Sequence, residues 1–217
     1  MKKLQICVQF VFWLAACAMT SGGIGTVANA AEGLPAGEAG VARMEAARAE
    51  VENVRSNIFL TLVELDRVRG EQDPAHPKFQ AFTNQLARMQ VLAKAFATRA
   101  QEMKERGAKY FADWEAATAS IQDPTARAAA EQRYGERKAA YDAINRFMQE
   151  GRKAFLPFLE ELNTIKDILQ GPRDAASIAK AKDLFMRANW HCIDTQRALM
   201  EIEDELDRLA ATFRPGS

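Results

Sequence analysis

From Met44 to Phe213, apolar side chains recur at alternating spacings of three and four residues, interrupted at three proline-bearing turns and around Arg137 and Lys138. A side chain every three and a half residues stays on one face of an α-helix, whereas a strand needs a period of two. The rhythm therefore predicts helices with apolar seams. One runs Phe79, Phe82, Leu86, Met89, Ala93, Phe96, Ala100, Met103, Gly107, Tyr110 and Trp114 without a break. An earlier one carries Met44, Ala47, Val51, Val54, Ile58, Leu65 and Val68, with Thr61 at the remaining seam position. A third joins Tyr134, Tyr141, Ile144, Met148, Gly151, Phe155, Phe158, Leu162, Ile165 and Leu169, with a gap around Arg137 and Lys138. The last holds Ile178, Ala181, Phe185, Ala188, Cys192, Thr195, Leu199, Ile202, Leu206, Leu209 and Phe213. Seven-residue repeats sustained this long impose a left-handed supercoil.

The turns lie at Gln72 to Pro77, at Asp123-Pro124 and at Gly171 to Asp174. Proline suits the first turn of a helix but cannot continue one, Asp before it can cap the helix, and Gly favours a helix end. Four helices follow, near 37–71, 77–122, 124–170 and 175–213. Their short connections force an antiparallel arrangement, and the longest would span about 65–70 Å. The expected fold is an all-α, elongated, antiparallel coiled-coil bundle over 41–213, with a core that 48% apolar residues can fill. Large side chains face Ala and Gly in the seams, which lets layers interdigitate and leaves room for gaps beside Gly107 and Gly151. Pro157 falls inside the third helix and should bend it.

The start of the chain is of a different kind. Lys2 and Lys3 precede an apolar run from Ile6 to Met19, too short and too early for a membrane span and typical of an export signal. Two processing sites compete. Leu14-Ala15-Ala16-Cys17 resembles a lipobox, which would leave 1–16 as the signal and Cys17 as a lipidated first residue. Ala28-Asn29-Ala30 is an A-x-A site that would release 1–30, with cleavage between Ala30 and Ala31. Residues 31–40 would then serve as a flexible tether. Either route places the protein in the periplasm or on the cell envelope, and membrane attachment would come only through a lipid on Cys17. Cys7 and Cys17 lie in the leader, so Cys192 is left without a partner and reads as a buried, inert thiol.

Charge excludes one class of partner. The chain has 29 basic and 29 acidic residues, alternating in sign along the helices, with no basic block beside a nucleic-acid-reading motif. Nucleic acid is not expected. Chemistry is equally sparse: the two histidines are His76, in a proline-flanked turn, and His191. Neither has Glu three residues before it, as a di-iron bundle requires, and no Cys-x-x-Cys-His haem motif exists. Trp190-His191-Cys192 is the most unusual cluster, yet adjacent helical residues point apart, so pairing the thiol with the imidazole would need a second element. The reading is no enzyme, no catalytic residue, no metal and no cofactor.

Phe111-Ala112-Asp113-Trp114-Glu115, the stretch Arg127 to Tyr134, Tyr141, Met148 and Phe155-Leu156-Pro157-Phe158-Leu159 together resemble a bacterial family known as domain of unknown function 2959. The resemblance spans about residues 110–213 and departs at 170–176. It implies a helical build and an exported, often lipoprotein-like protein, and brings no activity with it. The expected role is a structural or interaction protein of the bacterial envelope that docks an envelope partner or self-associates. The alternative is a periplasmic bundle enclosing an apolar or lipid-like ligand, motivated by Gly107, Gly151 and Pro157.

Overall fold

The computed structural model describes residues 38–69, 76–171 and 174–213. They form four helices, α1 (Glu38–Val68), α2 (Pro77–Ala119), α3 (Pro124–Gln170) and α4 (Ala175–Ala211), with no strand among the described residues. Each helix packs on the next, and α1 closes the ring against α4. The expected bundle is present. The ends of α1, α2 and α4 fall two or three residues short of expectation, while α3 matches it.

The helix starts have identifiable causes. Asp123 accepts from the Ala126 amide at 2.8 Å and Asp174 from the Ser177 amide at 2.7 Å, so each satisfies a donor left open by the first turn. His76 does the same for α2, its Nδ1 accepting from the Lys78 amide at 3.2 Å. The solvated turn histidine is thus a helix cap. Gly171 ends α3 by donating its amide to the Ile168 carbonyl. α3 runs through Pro157, which lacks the amide that would otherwise bond one turn back.

The seams lie in the core. Phe82, Phe158, Ile58 and Ile165 are fully buried, each worth about 1.5–3 kcal/mol by removal from water. Thr61 fits the α1 seam because its hydroxyl bonds the Asn57 carbonyl at 2.7 Å. Buried Asn57 in turn receives the Gln85 amide at 3.2 Å, a polar link that fixes the register of α1 on α2. One expectation fails. Ile178 is 57% exposed, because the first turn of α4 stands clear of its neighbours. The middle of α2, from Ala93 to Tyr110, is only partly covered.

Gly107 and Gly151 serve close packing. A Cβ on Gly107 would overlap the Tyr141 ring, whose hydroxyl donates to the Lys104 carbonyl at 2.6 Å. A Cβ on Gly151 would meet that of Ala198 at 3.3 Å. Neighbouring side chains thus fill the spaces expected to be gaps.

Polar pairs give the register of the ring. Arg48 meets Asp207 at 3.1 Å and Arg55 meets Glu203 at 3.1 Å between α1 and α4, while Arg99 pairs with Glu50 between α2 and α1. Stepping from that last pair puts the start of α1 level with about residue 111 of α2. Thr212, just past α4, accepts from Arg137 of α3. Among the described residues only α2 and α3 continue beyond that level, as a two-helix tip joined at 120–123.

Candidate functional site

Three places on the bundle carry chemistry or unusual exposure. The first surrounds His191 and Cys192. Cys192 is 3% exposed within the hydrophobic core, and burial pushes its thiol up to about 11, opposed weakly by a hydrogen bond with Gln196. His191 turns the other way. Its Nδ1 lies 2.9 Å from Oε2 of Glu161 on α3, and Arg187 Nε lies 3.3 Å from the other oxygen of the same carboxylate. Arg187 also approaches Asp183 at 3.7 Å. Glu161 is 6% exposed, so a buried carboxylate is held between an imidazole and a guanidinium. The second element that brings His191 a partner is therefore α3, and the partner is Glu161 rather than the thiol. A protonated thiol aimed into the core has little nucleophilic character. Glu161 escaped the sequence reading because its partners lie 26 and 30 positions away, outside any helical spacing.

The second place sits where the four-helix ring narrows to the tip. Tyr110, Phe111 and Trp114 of α2 face Tyr134 and Tyr141 of α3, with ring centroids 5.1–5.7 Å apart across the helices and along α2. Arg137, at the gap in the α3 seam, lies over Trp114 at 5.4 Å and over Phe213 at 4.4 Å. Its guanidinium also donates to the Thr212 carbonyl at 3.2 Å. Lys138 lies 5.7 Å from the Phe111 ring while its ammonium holds Asp142, which raises its pKa. The seam gap is thus filled by a cation stacked on aromatic rings. Burial raises the Tyr110 hydroxyl above its ordinary range, partly offset by the guanidinium of Arg137, which approaches it without an aligned hydrogen bond.

The third place is the outer face of α4. Met186, Trp190, Ile193 and Met200 are 53%, 69%, 52% and 50% exposed, at spacings of four, three and seven. Their row is a second seam on a helix whose first seam is already buried. Phe59 of α1 is 60% exposed, and α1 borders α4 nearby through the Gln196 bond to the Arg55 carbonyl at 2.8 Å.

Among the described residues no three His, Cys, Asp or Glu side chains are grouped to hold a metal ion. No described helix is long and apolar enough to cross a membrane. Cys17, Ala30 and Ala31 lie outside the described residues.

The fold and the site define the class: an antiparallel four-helix bundle whose unusual surface features are an apolar helix face and an aromatic–arginine cluster. The chain belongs to the family described as "Protein of unknown function (DUF2959)", whose model matches residues 30–192. The match begins some 80 residues before the stretch that carried the resemblance, runs through 170–176 and stops at Cys192. No curated protein and no solved structure matches the chain.

Proposed function

We propose that the protein is a non-enzymatic interaction protein of the bacterial cell envelope, which docks a helix of a partner on the outer face of α4. The observation that carries this reading is the row Met186, Trp190, Ile193 and Met200, at coiled-coil spacing and half or more exposed. A helix leaving such a row in water gains by laying it against another helix with a matching seam. Arg187, Asp194 and Glu201 flank the row, and Asp183 and Arg197 fall at its own positions before Met186 and between Ile193 and Met200, so that these charges would set orientation and partner choice. The envelope location rests on the leader sequence, with its lipobox at Cys17 and its A-x-A site before Ala31. The engagement of His191 by Glu161 and the burial of Cys192 support a role without catalysis.

Photo-cross-linking from position 193 in cells of a bacterial host, paired with sedimentation of the purified chain, tests the reading. A defined cross-linked protein, or a second copy of the chain, that disappears in Trp190→Glu supports it. A monomer that yields no cross-linked product overturns it.

For the alternative, a bundle enclosing an apolar or lipid-like ligand, Pro157 is the motive that remains, since Tyr141 and Ala198 stand beside Gly107 and Gly151.

A further inference from the structure

Glu102, Arg106, Tyr110, Trp114 and Thr118 follow one another at intervals of four along α2, each step turning about 40°, so the row winds from one side of the helix almost to the other over about 24 Å. Each carries a side-chain polar atom that is buried and makes no hydrogen bond: Glu102 Oε1, Arg106 Nη1, Tyr110 Oη, Trp114 Nε1 and Thr118 Oγ1. Buried polar groups are nearly always bonded, so five in one row call for a cause. Trp114 and Thr118 are 3% and 7% exposed, beyond the easy reach of bulk solvent.

The inventory is unequal. Arg106 and Trp114 can only donate, Tyr110 and Thr118 can do either, and Glu102 alone can only accept. The charges are unequal too. Arg106 and Glu102 approach no closer than 3.8 Å, and Arg137 beside Tyr110 and Trp114 has no carboxylate partner among the described residues. Arg137 is therefore a cation with no carboxylate to balance it in a partly buried place. Ordered water would satisfy the lone donors but would leave the surplus charge, whereas a small oxyanion answers both. We propose that this end of the bundle binds a small oxyanion, a phosphate or carboxylate group, between Tyr110 and Trp114 of α2 and Arg137 of α3.

The full chain with Trp13→Phe and Trp190→Phe keeps Trp114 as its one indole and reports on the site by fluorescence. Titration with inorganic phosphate and with acetate, at constant ionic strength set by chloride, is expected to give a saturable change with at least one of them. Saturation by phosphate alone assigns a phosphoryl group, and saturation by acetate alone a carboxylate. Arg137→Gln is expected to weaken binding at least 10-fold at unchanged helicity by circular dichroism, while exposed Arg133→Gln leaves it unaltered. If Arg137→Gln does not fold, Tyr110→Phe removes one hydroxyl from the row and should weaken binding measurably. A response that never saturates, or one equal in parent, Arg137→Gln and Tyr110→Phe, overturns the proposal.

Discussion

Two glycines show how little composition says about a residue until its neighbours are known. Gly107 and Gly135 both lie inside long helices, but the first is covered by the Tyr141 ring and the second has open space where a Cβ would stand. Gly135→Ala should raise stability by about 0.5–1 kcal/mol, since it only removes freedom from the unfolded chain. Gly107→Ala should lower it by about 1–3 kcal/mol, because Tyr141 has to leave its bond to Lys104. Urea denaturation of the two variants against the parent checks both signs. Glu203 offers a test by pH. Arg55 lies 3.1 Å from its Oε1, yet that oxygen receives no aligned hydrogen bond, and burial raises the carboxyl above its usual range against the pull of Arg55. The residue is 6% exposed, so desolvation outweighs a pair that is close but poorly directed. A carboxyl raised on folding binds its proton more tightly when folded, so its contribution is greatest at acid pH and falls as the pH rises through the folded value. Glu203→Gln should therefore gain on the parent in melting temperature between about pH 4 and pH 7. A gap between the two that narrows or stays constant over that range would refute the assignment. Cys192 should resist iodoacetamide in the native protein and react only on unfolding, as a thiol at about 11 in the core requires.

Among the helices, α4 was the most legible and the least completely read. Its seam from Ala181 to Phe213 could be followed because burial on one face repeats at fixed spacing, and every position there but half-buried Leu209 is buried. The same spacing continues on the opposite face through Met186, Trp190, Ile193 and Met200, but a periodic row says nothing of which face a neighbour covers. Ile178 keeps the spacing of the seam and is exposed all the same. Arg137 shows the reverse failure. A charged residue breaks the α3 seam, and Trp114 of α2, the Phe213 ring beyond α4 and the Thr212 carbonyl explain why a cation sits there. The Glu161–His191–Arg187 group was invisible for a related cause, since it pairs positions on two helices whose register depends on the turn between them. Glu161→Gln keeps one acceptor oxygen but removes the charge that faces Arg187 and His191, both partly exposed, and should destabilise the α3–α4 pair by about 1–2 kcal/mol in chemical denaturation. A loss below about 0.5 kcal/mol would place the group at the surface in energetic terms.

At the scale of the molecule, α3 has 47 residues and α2 has 43, so the long axis is about 70 Å. Small-angle scattering should give a radius of gyration above about 20 Å, where a globule of the same length would give about 17 Å. The beginning of α1 and the end of α4 lie together at the tip-bearing end, with Arg48–Asp207 the first link between them and Arg55–Glu203 the next. A pull applied between those two ends would load the links one after another, as the teeth of a zip are loaded, and would peel α1 from α4 at low force. Tension across the long axis would instead strain all the seams at once, so the bundle should yield readily in the first direction and resist in the second.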